Sequence, residues 1–215
     1  AQDRLSASRV LVIGAGGLGS AVIPTLAGAG VGTIGIVDDD AVETTNLHRQ
    51  YVHAPGDVGR AKVLSAADTL ARLNPAVAVL PHAERLTSDN ALELFAGYDL
   101  VLDGSDNFPT RYLANDAAAL SGIPLVWGAV SQYSGQAGVA FAARGPNYRD
   151  LFPVPPEPGS VLSCAVGGVL PTVCAVIGSL MATEAIKILT GVGEPLLGRV
   201  TTFDALTGSF REIPY

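Results

Sequence analysis

Three observations predict an α/β fold built on an open sheet, mostly parallel, with antiparallel strands on its C-terminal side. Short apolar runs alternate with helical patterns through the first 130 residues. A glycine loop joins the first apolar run to the first helix. Past residue 130 the alternation gives way to strand patterns with hairpin spacing. With 215 residues, 48% hydrophobic and 15% charged, the chain is expected to form a single domain spanning 1–215 with a full core.

Arg9-Val10-Leu11-Val12-Ile13 is an apolar run suited to a buried parallel strand. Gly14-Ala15-Gly16-Gly17-Leu18-Gly19-Ser20 follows, and an apolar helical pattern opens behind it. Gly14 permits the tight turn, Gly16 lets the backbone approach a phosphate, and Gly19 lets the helix sit close on the strand. The N-terminus of that helix offers free N–H groups and a positive dipole end to an anion. A second strand over 33–37 ends at Asp38, where a Rossmann-like fold places its ribose-binding acid.

The rhythm continues with a helix over 58–74, carrying Val63, Ala66, Ala67, Leu70 and Leu73 on one face and ended by Pro75. A third strand is expected over 77–80, then a short helix capped by Ser88 and running through Phe95. A fourth strand over 99–103 delivers Gly104-Ser105-Asp106-Asn107. The next helix runs to about Leu120 and is closed by Gly122, and a fifth strand covers 125–128. Residues 136–143 alternate like an antiparallel strand, and 200–203 with 210–213 resemble a hairpin around Thr207-Gly208. The Pro-rich stretch 145–159 reads as a loop, and no internal repeat is visible.

Composition excludes several classes of function. A net charge of −7 disfavours nucleic-acid binding, which depends on phosphate neutralisation by basic residues. Two cysteines, Cys164 and Cys174, are too few for a disulfide scaffold and fit a reducing cytoplasm. Ala1-Gln2-Asp3-Arg4 opens no secretory segment. The stretch 158–183 carries no charge and is long enough to cross a bilayer. Gly167-Gly168 and Pro171 interrupt it, however, and Glu184 to Lys187 returns to amphipathic spacing. A helix buried in the core or at a subunit interface is expected, without a membrane.

The type of nucleotide is decided after Asp38. A nicotinamide-binding fold would proceed into another helix; here 38–50 holds further acids, Asn46, Arg49 and Gln50. Arg49 offers a fork of donors to phosphate oxygens, and Asn46 donates or accepts beside it. Composition alone would also suit a solvated charged loop. Asp106 lies beyond the carboxyl end of a strand, where ligands of open α/β sheets bind. On the residues alone it is equally a magnesium ligand or a cap for the following helix.

Gly14-x-Gly16-Gly17-x-Gly19, followed by Asp38-x-Asp40-x-Val42-Glu43-x-x-Asn46-Leu47-x-Arg49-Gln50, resembles the ThiF/MoeB adenylating enzymes. These activate ubiquitin-like sulfur carriers and are related to the ubiquitin-activating enzymes. The similarity continues through Gly59-x-x-Lys62, Leu73-Asn74-Pro75, Asp103 to Phe108, Arg111-Tyr112-x-x-Asn115-Asp116, Leu151-Phe152-Pro153, Ala182 to Lys187 and Asp204-Ala205-Leu206. It covers essentially the whole chain.

The resemblance implies ATP and Mg²⁺, with Asp106 as the metal-binding aspartate and Asp38 on the ribose. Arg49 and Lys62 would lie on the phosphates, with Asp40, Asn46 and Gln50 completing the shell. It implies attack by a carrier's C-terminal glycine carboxylate on the α-phosphate, a Gly-Gly-ending ubiquitin-like sulfur-carrier partner, and a homodimer. Relatives place near Cys164 a cysteine that takes up the activated carrier; a buried, inert thiol is the alternative there, and Cys174 is assigned to the core. Many members also hold zinc with two Cys-x-x-Cys pairs. Here Asn147-Tyr148-Arg149-Asp150 stands in the place of the first pair, so zinc is expected to be absent. The competing readings are a noncatalytic carrier-binding scaffold and a nicotinamide-dependent oxidoreductase on the same glycine loop.

Overall fold

The computed structural model describes residues 1–157 and 167–215. A short helix α1 (Gln2–Ala7), not expected from the residue pattern, precedes strand β1 (Arg9–Ile13). Then follow α2 (Gly17–Ala29), β2 (Thr33–Val37), α3 (Lys62–Leu73), β3 (Ala78–His82), α4 (Ala91–Phe95), β4 (Leu100–Asp103), α5 (Phe108–Ser121), β5 (Leu125–Ser131) and β6 (Ser134–Ala140). The chain closes with α6 (Tyr148–Leu151), α7 (Pro171–Thr190), β7 (Arg199–Asp204) and β8 (Ser209–Pro214).

All eight strands form one sheet in the order β3-β2-β1-β4-β5-β6-β7-β8. The first five of that order pair in parallel, and β6, β7 and β8 add antiparallel. This is the expected open sheet. The order reverses between β1 and β4, and a ligand crevice in such a sheet opens outside the strand ends at that point.

Several boundaries differ from expectation, each for a local reason. Helix α3 starts at Lys62, because Gly59 and Arg60 are held by backbone bonds to Val42 in a narrow antiparallel pairing (Gly59 N–H to Val42 O, 2.9 Å; Val42 N–H to Arg60 O, 2.8 Å). Leu73, expected on its buried face, is 51% exposed. Ser88 does not cap α4: its hydroxyl turns to Asp89, and Asn90 supplies a carboxamide oxygen to Thr87 N–H instead. The Pro-rich loop contains the one-turn helix α6, whose Asn147 side chain accepts from Arg149 N–H. Phe152 then docks on Trp127 and Tyr148, and Tyr112 donates its hydroxyl to the Phe152 carbonyl at 2.9 Å.

Helix α7 is long and apolar enough to cross a membrane by length and composition alone. In this fold it lies against α2 and the sheet, burying Val173, Ile177, Met181, Ala182 and Ala185. Burial of each large apolar side chain contributes about 1.5–3 kcal/mol. The approach is close: a Cβ added at Gly178 would stand 2.6 Å from Ala21 Cβ and 2.7 Å from Leu18 O. Val176, Leu180, Ile186, Ile188 and Leu189 are half-buried, and all but Val176 also pack against this core.

Candidate active site

A cleft of about 1450 Å³ opens along the carboxyl ends of β1, β2 and β4 and continues past β6 to β7. The glycine loop forms one wall. Gly14 takes φ +88°, which other residues avoid, to turn the chain out of β1. A Cβ there would press on the Gly104 carbonyl at 3.2 Å, so the loops after β1 and β4 touch. Gly19 does not line the cleft: any side chain on it would overlap the Gly14 carbonyl, and its work is to let α2 sit on the loop. Gly16 and Gly17 line the cleft, as do Asp38, Asp40, Arg49, Gln50, Lys62 and Asp106.

Asp38 bridges the glycine loop and the polar insert that follows β2, residues 38–50. One carboxylate oxygen accepts from Ala15 N–H and the other from Asp40 N–H, both at 2.8 Å. Burial pushes its carboxyl above the ordinary range, opposed by the nearby Lys62 ammonium and by those two N–H groups. Lys62 is the first residue of α3 and is buried, not solvated as its position in sequence suggests. Its ammonium pairs with Asp40 at 2.7 Å.

Arg49 carries no carboxylate partner among the described residues. Its guanidinium reaches Thr45 O at 3.4 Å and His48 Nε2 at 2.8 Å. Gln50 is 4% exposed, and its Oε1 lacks a hydrogen-bond partner among the described residues. Asn46 ends the 3-10 turn Thr44–Asn46 and does not line the cleft. Its backbone carbonyl instead accepts from Arg49 and Gln50 N–H, which presents those two side chains.

The cap alternative for Asp106 is settled against it. Asn107 is the N-cap of α5, accepting from Thr110 N–H at 2.9 Å. Asp106 is exposed and makes no hydrogen bond or ion pair among the described residues. A carboxylate left uncommitted at the cleft suits Mg²⁺, which takes one or two carboxylates plus phosphate oxygens.

Two groups behind the site escaped the sequence reading. Asp103, at the end of β4, is fully buried and faces Arg111 Nε at 3.5 Å; Arg111 also donates to the carbonyls of Ser105 and Gly128. Burial pushes the Asp103 carboxyl up, and Arg111 opposes it. A charged residue closing an otherwise apolar strand, with an arginine in the first turn of the next helix, was the available signal. His53 is also buried, against the loop rather than at the surface. Cys174 is buried in α7 as expected, but it reaches the cleft floor, 2.8 Å from where a Gly17 Cβ would stand. Cys164 lies outside the described residues.

The ThiF family model matches residues 1–215. The chain belongs to the ThiF family. Among relatives, the probable adenylyltransferase/sulfurtransferase MoeZ of Mycobacterium tuberculosis is 56% identical over 99% of this chain and 55% of its own length. The sulfur carrier protein adenylyltransferase of Thermus thermophilus is 53% identical over 99% of this chain and 80% of its own. The chain therefore spans about half the length of the mycobacterial relative and most of the Thermus one. A crystal structure of Escherichia coli MccB with MccA-N7isoASN matches with a TM-score of 0.89, and one with ATP with 0.88. Each is 22% identical over 99% of this chain, covering 66% and 65% of the MccB chain, and shares the fold. The fold and the family agree: the ThiF glycine loop, polar insert and strand-end acid converge on one cleft.

Proposed function

We propose that this chain is an ATP-dependent adenylyltransferase that activates the C-terminal glycine carboxylate of a ubiquitin-like sulfur-carrier protein. The observation that carries this reading is the convergence of the glycine loop, Arg49, Lys62 and Asp106 on one cleft. Relatives about half identical to the chain and named sulfur carrier protein adenylyltransferase and SAMP-activating enzyme E1 support it.

A carboxylate oxygen of the carrier attacks the α-phosphorus, the bond from that phosphorus to the bridging oxygen breaks, and pyrophosphate leaves with the electron pair. Gly16 and Gly17 offer backbone at the phosphates, and Asp38 holds the ribose hydroxyls. Arg49 and Lys62 stabilise charge moving onto the leaving pyrophosphate, positioned before reaction begins. Asp106 would hold Mg²⁺, which when bound neutralises phosphate oxygens. Gln50 offers a buried amide oxygen that still needs a donor. Cys164 would take up the activated carrier as a thioester, its thiolate attacking the acyl carbon and AMP leaving with the electron pair of the broken C–O bond.

The apolar length of α7, with Val176 and Leu180 still half-buried, supports a homodimer, since a second copy in an isologous pair would cover them further. Two cysteines in 215 residues suit the cytoplasm. ATP–pyrophosphate exchange that depends on an added Gly-Gly-ending carrier tests the reading; a carrier-binding scaffold gives none.

A further inference from the structure

We propose that His53 is a positioning residue that sets the Ala15–Gly16 peptide of the glycine loop, and through it the affinity for the nucleotide's phosphates. The inference deepens the adenylation reading and rests on it for the identity of the nucleotide.

His53 is 6% exposed, and each ring nitrogen faces an oxygen. Nε2 lies 2.9 Å from the Ala15 carbonyl. A carbonyl only accepts, so Nε2 carries the proton and donates it. Nδ1 lies 2.8 Å from Ser65 Oγ, and the same hydroxyl lies 2.8 Å from Asp57 Oδ2. Asp57 is itself fixed, accepting from Ala54 N–H at 3.0 Å and from Arg60 at 2.6 Å. Ser65 on α3 has one hydroxyl proton for these two acceptors, so it donates either to Nδ1 or to Asp57, which stands just before α3. Its other charged neighbours are Lys62 on α3 and Asp38 after β2.

Both polar groups of Ala15 are consequently held by side chains: its N–H by Asp38 and its carbonyl by His53. In a trans peptide the carbonyl of Ala15 and the N–H of Gly16 point in opposite directions. With the carbonyl drawn to buried His53, the Gly16 N–H is turned the other way, on the side where Gly16 lines the cleft. A free loop peptide would rotate, and an anion would have to order it on binding, which weakens affinity. The flanking Gly14 and Gly16 add to that freedom.

Two amide substitutions separate the contacts. In His53→Gln the carboxamide nitrogen falls near Nε2 and keeps the donor to Ala15. In His53→Asn it falls near Nδ1, keeping Ser65 and losing Ala15. Calorimetric titration with Mg²⁺ and the α,β-methylene analogue of ATP is expected to show His53→Gln within about threefold of the unsubstituted chain. His53→Asn is expected to bind about tenfold more weakly, the loss of one buried hydrogen bond. The KM for carrier in the exchange reaction is expected to stay unchanged in both. Equal affinities for the two variants, or a loss that follows their urea midpoints instead of the Ala15 contact, would overturn the proposal. If the split appears while the unsubstituted chain catalyses no carrier-dependent exchange, the adenylation reading fails and this one stands. If exchange is present without the split, only this one fails, and a chain that binds no nucleotide overturns both.

Discussion

Lys62 Nζ stands 2.7 Å from Asp40 Oδ2, although the lysine side chain is 6% exposed and the aspartate side chain 62%. The cation is sheltered and its partner is hydrated, so the pair adds little to stability. In the proposed adenylation a phosphate would take the place of this hydrated carboxylate beside Lys62.

The first prediction follows from that asymmetry. Lys62→Met keeps the stem volume and removes the charge. Pyrophosphate exchange is expected to fall by roughly a hundredfold or more, the scale of losing one preorganised charge at a developing anion. The thermal midpoint is expected to stay within a few degrees. Parallel exchange assays and melting curves check it; a loss of activity that tracks a loss of folding would contradict it.

Asp103 ends β4 buried, whereas Asp106, just beyond it, is exposed. Asp106→Ala is expected to abolish Mg²⁺-dependent exchange and leave urea unfolding unchanged, because the exposed carboxylate makes no hydrogen bond or ion pair among the described residues. Asp103→Ala is expected to destabilise the fold by about 3 kcal/mol or more, since it strands buried Arg111 without its partner. Near-full exchange in Asp106→Ala would move the metal site elsewhere.

Most of the fold was legible in the sequence because its signals are local. The apolar runs of β1, β2 and β4 need no partner to be recognised, and Gly122, at φ +68°, ends α5 as its position implied. The glycine loop and the insert could be placed at one cleft because an open sheet brings its strand ends together. What stayed hidden depends on contacts distant in sequence. Lys62 looks like a surface lysine until Val42 pairs with Arg60 and draws the start of α3 inward. His53 has no neighbour in sequence that marks it; Ala15 lies 38 residues away. Gly19 serves the close approach of α2, as its place in the glycine pattern implies, and does not line the cleft.

Glycines of α2 are expected to respond in opposite directions. Gly19→Ala should destabilise by about 1–3 kcal/mol, because the new methyl overlaps the Gly14 carbonyl. Gly28→Ala meets no atom within 4 Å, and should stabilise by about 0.5 kcal/mol through reduced freedom of the unfolded chain. Denaturant midpoints of the two variants check the contrast.

His53 should also shape the acid limb of stability. Burial, its largest influence, pushes the imidazole below its ordinary value of about 6.5. Between that value and the lower folded one, the unfolded chain binds more protons. Stability therefore falls as pH drops from about 6.5 through the folded pKa, and this contribution is absent above 6.5. His53→Gln is expected to flatten that part of the curve. Urea unfolding at a series of pH values reads it, and an unchanged slope in the variant would show that other groups cause the loss.

Carrier-dependent pyrophosphate exchange asks whether the cleft performs adenylation. The chain is mixed with ATP, Mg²⁺, labelled pyrophosphate and a ubiquitin-like protein ending in Gly-Gly, beside the same carrier with its last glycine removed. Label is expected to enter ATP with the intact carrier and to vanish with the truncated one, because only the terminal glycine carboxylate reaches the α-phosphate in productive register. Exchange without carrier, exchange indifferent to the tail, or tight carrier binding with no exchange across a panel of Gly-Gly-ending carriers would contradict it.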